Sequence, residues 1–301
     1  MSDANDRVVI VTGAGGGIGR FHALDLAAHG AAVVVNDMGV ARDGSGASES
    51  MAEQVAAEIR ALGGRAVADT HDVSSMTGAE ALVNRAIDEF GRLDTLVNNA
   101  GIIRDRTVTN MTEDEWDDVI RVHLKGTFAP THHAANHWRA EHRAGRARPW
   151  CIVNTTSTSG LLGNIGQANY GAAKAGIASF TVITAMELHR YGVRVNAVSP
   201  GARTRMTEGL IDDAEGAFDP FDPAAISPFV TWLGTDASGD VTGQVVGVTG
   251  GTVTVLEGWR PGPSESREHL FTDEEVAEVM PKLLEQAYVN PRLPGADSGQ
   301  G

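Results

Sequence analysis

Short runs of β-branched residues alternate along the chain with longer, alanine-rich segments of helical spacing. Residues 8–11, 33–35, 66–68, 93–97, 151–153, 193–198 and 245–248 read as strands, the last of these closing the set. Residues 20–28, 49–62, 79–90, 113–125 and 170–190 read as helices. A strand that is apolar at every position is covered on both faces. Such strands alternating with helices imply a parallel sheet, which right-handed crossovers make doubly wound. The expected fold class is therefore α/β, with one domain over residues 1–258. From about Arg260 onward proline and charge rise, and residues 271–288 have the spacing of one amphipathic helix. Residues 259–301 read as a C-terminal extension rather than a second domain. Residues 39–48 form a long polar stretch after the second strand, where a binding loop and a plain surface insertion are both expected readings.

Glycine is concentrated at the end of the first strand. Thr12-Gly13-Ala14-Gly15-Gly16-Gly17-Ile18-Gly19 leaves that strand and opens the first helix. Without a Cβ the backbone turns tightly and comes close to a ligand. The helix amino terminus then offers free N–H groups and a partial positive charge to a pyrophosphate. The spacing GxGxxG is not met; TGxxxGxG is met. Asp37 closes the second strand, eighteen residues beyond Gly19. An acid at that distance accepts hydrogen bonds from an adenosine ribose and repels a 2′-phosphate, so NAD is expected rather than NADP. A turn aspartate before Gly39 is the plainer alternative.

Tyr170 and Lys174 are four residues apart on an expected helix and share a face. Ser157 lies thirteen residues before Tyr170, just after the fifth strand. A parallel sheet puts strand ends and the following helix starts on one side, so the three can meet in one cleft. A phenol titrates near pH 10, too high for a base at neutrality. A nearby ammonium is expected to lower it. Tyr170 would then exchange a proton with an alcohol or carbonyl oxygen that Ser157 also holds. Ser157 lacks the flanking glycines of a hydrolase nucleophile, its neighbours two away being Thr155 and Ser159.

Together these motifs, with Asn98-Asn99-Ala100-Gly101, resemble the short-chain dehydrogenase/reductase family over residues 7–251. The resemblance implies a single Rossmann domain, NAD(P) as hydride carrier, and a homodimer or homotetramer. It implies catalysis by Ser157, Tyr170 and Lys174, and cofactor contacts from Gly13, Gly17, Ile18, Gly19, Asp37, Asp72, Val73, Asn99, Ala100, Gly101, Tyr170, Lys174, Pro200, Gly201 and Thr204. The segments around Asp37, Arg104, His123 and Gly163–Tyr170 further resemble the (3R)-hydroxyacyl-CoA dehydrogenase part of multifunctional enzyme type 2 and its actinobacterial relatives. That implies interconversion of a secondary alcohol and a ketone on a 3-hydroxyacyl-CoA, steroid or other hydroxy-lipid. A 3-oxoacyl-ACP-type or small-ketone reductase is the alternative within the family. A dinucleotide-binding regulator without turnover is the alternative outside it. An epimerase or dehydratase would need a larger substrate domain. The family's proton-relay asparagine is here His123, which is expected either to take over that relay or simply to pack. Thr204 stands one place earlier than the family spacing, and Thr249 stands where many members carry Asp.

Composition narrows the partners. The 301 residues carry 39 acidic and 24 basic side chains, a formal charge of −15, which argues against a nucleic-acid or anionic-membrane partner. One cysteine, Cys151, excludes an internal disulfide and a cysteine-rich zinc site. His133 and His137 have i, i+4 spacing but no evident third ligand, so no metal is expected. No apolar run approaches ~18 residues and no secretory signal is visible, so a cytoplasmic setting is expected. Arg139, Arg143, Arg146 and Arg148 form a basic cluster, read as a solvated loop or as a partner for the phosphate of an acyl-CoA. Phe218, Phe221, Ile226, Phe229 and Trp232 are expected either to line a substrate lid or to fill core, with core the reading for the last three, and Trp259 to reach a neighbouring subunit.

Overall fold

The structure is a computed structural model and describes residues 4–39, 51–203 and 218–288. In chain order the elements are β1 (Val8–Thr12), α1 (Gly17–Ala28), β2 (Ala32–Asn36), α2 (Met51–Ala61), β3 (Arg65–Asp69), α3 (Met76–Phe90) and β4 (Thr95–Asn98). Then come α4 (Glu113–Val119), a π-helical turn (Ile120–Lys125), α5 (Gly126–Arg143), β5 (Trp150–Thr155), α6 (Thr158–Leu162) and α7 (Ala168–Leu188). The last are β6 (Val193–Gly201), α8 (Ser227–Leu233), β7 (Val245–Thr249), β8 (Thr252–Val255) and α9 (Asp273–Gln286). By contact the chain divides into two compact units, Met1–Leu256 and Glu257–Gly301.

Among the described residues the strands form one sheet in the order β3-β2-β1-β4-β5-β6-β7-β8. All neighbours run parallel except β7 and β8. Strand order reverses between β1 and β4, and the crevice at their carboxyl ends is the ligand-binding position of such sheets. Both faces are covered. Val9, Val11, Val33, Val35, Val97, Val153 and Val198 pack on one side, with α1, α2 and α8. Val8, Ile10, Val34, Leu96, Ile152 and Val195 pack on the other, with α3 and α5. This two-sided burial explains why the strands read as unbroken apolar runs.

Three expectations change. The sheet does not close at residue 248: β8 adds an antiparallel edge after a tight turn in which Gly250 takes φ +51° and a Cβ would strike Pro220. The helix starting at Glu113 does not end at Lys125. It passes through the π turn and continues as α5. Trp232 is not core: it is 38 % exposed, whereas Ile226 is fully buried and Phe229 is partly buried against the core. In the second unit, α9 begins at a capping box in which Thr272 and Glu275 satisfy each other's backbone N–H groups, two residues later than the apolar spacing suggested. Trp259 is exposed.

Two buried histidines link stability to pH. His22 on α1 has its Nδ1 2.9 Å from Ser227 Oγ at the start of α8, and burial pushes it down to about 3. Burial and the charge of Lys174 likewise push His123 down to about 3. Both are neutral when folded but protonate near pH 6.5 when unfolded. Their contribution to stability is present above about pH 6.5 and is lost as pH falls toward 3, at about 1.4 kcal/mol per pH unit for each. Urea unfolding between pH 7 and pH 5 is expected to show this loss, and His22→Gln to reduce its slope.

Candidate active site

The glycine turn sits at the carboxyl end of β1 and is fastened to the end of β4. Thr12 Oγ1 accepts the N–H groups of Asn99 (2.9 Å) and Ala100 (3.1 Å). Asn99 Nδ2 donates back to Thr12 O (2.9 Å) and Gly13 O (3.2 Å). The glycines are required by space. A Cβ on Gly13 would lie 2.7 Å from Ala100 Cα, one on Gly15 2.8 Å from Asp37 Cγ, and one on Gly19 2.3 Å from Gly13 O. Gly13 and Gly17 take φ +63° and +53°, which side chains resist. The amino terminus of α1 has no side-chain cap and no acid in its first turn. Its free N–H groups and side-chain-free approach fit a pyrophosphate.

Asp37 stands at the rim of this turn. Its Oδ2 accepts the Gly15 N–H (2.9 Å) and its Oδ1 the Gly39 N–H (2.8 Å). Asp72 begins the turn after β3, where its Oδ1 accepts from the backbone and hydroxyl of Ser74, and Val73 is buried beside it. Pro200 and Gly201 end β6, and a Cβ on Gly201 would meet Thr249 Oγ1 at 2.2 Å. Thr204 and loop residues 40–48 lie outside the described residues.

Across the crevice, β5 delivers Ser157 as the N-cap of α6, its hydroxyl accepting the Ser159 N–H at 3.2 Å. Gly160 lets α6 lie on α7, since a Cβ there would strike the Lys174 and Ala175 backbone. Tyr170 and Lys174 share the inner face of α7. The Tyr170 hydroxyl bonds Ser157, and the Lys174 ammonium is 5.6 Å from the Tyr170 ring centre. Lys174 is buried and donates to Thr155 O at 2.6 Å. Burial pushes it down to about 7.

The expected lowering of Tyr170 does not occur in this protein as it stands. Burial pushes the phenol up, the Ser157 hydrogen bond lowers it, and the charge of Asp105 raises it. The reason is that Lys174 is itself desolvated and aims its ammonium at the Thr155 carbonyl. Desolvation therefore outweighs the helical pairing.

The π turn carries His123 into this wall. Its ring meets Tyr170 edge to face with centroids 5.1 Å apart. Its Nε2 lies 2.7 Å from Ile102 O and 3.1 Å from Ile102 N. The shorter contact, to an acceptor, assigns the proton to Nε2. Nδ1 is buried with no protein partner, a site that fits a bridging water. A Cβ on Gly101 would lie 2.3 Å from the imidazole, so that glycine makes room for His123 as well as approaching the crevice.

Sequence reasoning missed Asn169 and Gln167. Asn169 is fully buried, donates to Arg104 O and Glu115 O at 3.0 Å each, and accepts the Tyr170 N–H at 2.7 Å. It ties the start of α7 to the loop after β4 and to α4. Its adjacency to Tyr170 was the only available signal.

Other candidates fall away from the crevice. Arg146 pairs with Glu141 and Arg148 approaches Asp94, at the amino edge of the sheet. That edge is opposite the crevice, so these arginines do not reach a substrate held by Ser157 and Tyr170. Among the described residues no three His, Cys, Asp or Glu side chains form a metal-binding group, and no helix is long and apolar enough to cross a membrane.

This fold and crevice define a dinucleotide-binding oxidoreductase of the doubly wound class. The family model for short chain dehydrogenase matches residues 7–215. The chain is 44 % identical over 261 residues to the hydroxyacyl-CoA dehydrogenase ChsB1 of Mycobacterium tuberculosis, covering 85 % of this chain and 81 % of that one. It is 44 % identical over 227 residues to the mouse peroxisomal multifunctional enzyme type 2, covering 75 % of this chain and 29 % of the mouse protein. The crystal structure of a short chain dehydrogenase from Mycobacterium avium superimposes with TM-score 0.89 at 50 % identity, over 97 % of this chain and 99 % of that one. The chain belongs to the short-chain dehydrogenase/reductase family, whose members bind a nicotinamide dinucleotide and act on small-molecule substrates.

Proposed function

We propose that this protein is an NAD-dependent dehydrogenase that interconverts the secondary alcohol and the ketone of 3-hydroxyacyl-CoA thioesters. The convergence of Ser157, Tyr170 and Lys174 on one wall, opposite the glycine turn, carries the reaction type. The hydroxyacyl-CoA dehydrogenase relative supports the substrate class.

The glycine turn and Lys174 would hold the dinucleotide, which would supply the acceptor for a hydride. In the oxidative direction Ser157 Oγ hydrogen-bonds the substrate oxygen. Tyr170 would take the hydroxyl proton in its phenolate form, a minority form while burial holds the phenol up. With the dinucleotide in place, the C–H electron pair would leave to it as hydride while the carbonyl formed. Lys174, titrating near neutrality, holds the nicotinamide ribose and refills the proton path. His123 continues it: neutral and with a free Nδ1, it holds a water between Lys174 and the outside. Asp37 accepts the ribose hydroxyls and repels a 2′-phosphate. Gly13, Gly17, Ile18 and Gly19 would hold the pyrophosphate, Asp72 and Val73 would flank the adenine, and Asn99, Ala100, Gly101, Pro200 and Gly201 would complete the cofactor wall. The unit ending at Leu256 carries this machinery, the later residues being an appendage. Exposed Phe128, Val182, Ile183 and Met186 on α5 and α7 support a homo-oligomer.

The test is a steady-state comparison of 3-hydroxybutyryl-CoA, a hydroxysteroid and simple secondary alcohols, each with NAD and NADP. The thioester with NAD is expected to give the highest kcat/KM. An NADP preference overturns the role given to Asp37. Turnover of simple alcohols alone overturns the thioester.

A further inference from the structure

Asp105 lies on the loop that leaves β4 and passes the start of α7. The loop is held there on several sides. Arg106 N donates to Gly166 O at 2.8 Å, Asn169 holds Arg104 O, and Gln167 Nε2 donates to Asp105 Oδ2 at 2.9 Å. Gln167 is buried, three residues before Tyr170, and its Oε1 accepts from Asn164 Nδ2 at 3.0 Å. Asp105 Oδ1 is shielded from solvent and has no protein partner. The arginines on either side are paired elsewhere, Arg104 with Asp118 at 3.5 Å and Arg106 with Glu115 at 3.4 Å. A carboxylate is thus fixed beside the proposed proton-transfer group, and neither neighbouring arginine forms an ion pair with it.

One oxygen of this half-buried carboxylate is out of water, so its charge is only partly screened and acts beyond contact distance. We propose that Asp105 is a specificity-determining residue that excludes substrates carrying an anion close to the reacting carbon, and so selects a 3-hydroxyacyl thioester over the free 3-hydroxy acid. The proposal rests on the thioester reading above. A thioester is neutral at its acyl carbon, whereas the free acid presents a carboxylate two carbons from the carbinol. The free acid therefore meets Asp105 as a like charge. The same charge opposes the Tyr170 phenolate. The groups facing that phenol are Ser157, Lys174 and His123 as well as Asp105.

The experiment compares 3-hydroxybutyryl-CoA, 3-hydroxybutyrate and its neutral methyl ester with wild type, Asp105→Asn and Gln167→Met. Asparagine keeps an oxygen for Gln167 and removes only the charge. Wild type is expected to favour the methyl ester over the free acid by about tenfold, the scale for unit charges ~10 Å apart at an effective dielectric of ~20. Asp105→Asn is expected to raise kcat/KM for the free acid by a similar factor while leaving the thioester within about threefold. It is also expected to shift the rising limb of the pH–rate profile down by ~0.5 unit, because the phenolate loses a like charge. An unchanged ester-to-acid ratio in Asp105→Asn overturns the proposal, as does wild type using acid and ester equally. Gln167→Met removes the hydrogen bond and keeps the charge; if it alone reproduces the Asp105→Asn changes, the role is structural and the proposal fails. If wild type ignores the thioester but oxidises a neutral hydroxysteroid, it is the substrate reading that fails. The pH limb measured with that steroid then decides the role of Asp105, an unmoved limb overturning it.

Discussion

Tyr170→Phe is expected to lower kcat for alcohol oxidation by ~10³-fold or more, toward the upper range for a positioned acid–base group. The change deletes one hydroxyl. The edge-to-face packing on His123 needs only the ring, and Asn169 holds the Tyr170 backbone, not its side chain. The fold should therefore be retained. Stopped-flow measurement of NADH formation at 340 nm, beside a thermal melt, is the check. A variant that keeps a tenth of wild-type turnover would remove Tyr170 from proton transfer. If NADH binds to wild type and neither alcohol nor ketone reacts, the chain is a dinucleotide-binding regulator instead.

Gly19→Ala is the second large effect. Gly19 lies in the first turn of α1, and the added methyl would sit 2.3 Å from Gly13 O and 2.5 Å from Asn99 Nδ2. A backbone carbonyl cannot swing aside as a side-chain tip can, so the turn must open. Overpacking of this kind typically costs about 1–3 kcal/mol of stability. The displaced turn includes the N–H groups assigned to the pyrophosphate, and NADH affinity is expected to fall ~100-fold, the loss of two charge-assisted hydrogen bonds. Fluorescence titration with NADH measures it. Gly258→Ala, where nothing stands within 4 Å, should leave affinity unchanged. Equal behaviour of the two variants would show that the turn does not hold the dinucleotide.

Much of the fold was legible from local pattern. The unbroken apolar runs of β1, β2, β4 and β5 could only be strands buried on both faces. The glycines between β1 and α1 announced a tight turn. Tyr170 and Lys174 at helical spacing, with Ser157 after β5, announced a shared cleft. What was illegible depended on neighbours remote in the chain. β8 is four exposed residues at an edge, too short to carry a pattern of its own. The π turn at Ile120–Lys125 changes hydrogen-bond register without a composition to mark it. Only with the turn in place does His123 meet Ile102, Gly101 and Tyr170. Asp105 reads in sequence as a loop acid. Its partnerless Oδ1 and its Gln167 contact exist only once the loop after β4 is folded against α7.

The sequence by itself determined the class of sheet, the place of the glycine turn and the residues proposed for proton transfer. Those follow from residue type and spacing within single strands, turns and helices. Only the tertiary structure decided the protonation chemistry. Tyr170 is pushed up and Lys174 pushed down to about 7 because folding strips water from both. Desolvation is a property of the assembled interior, and no spacing along the chain records it.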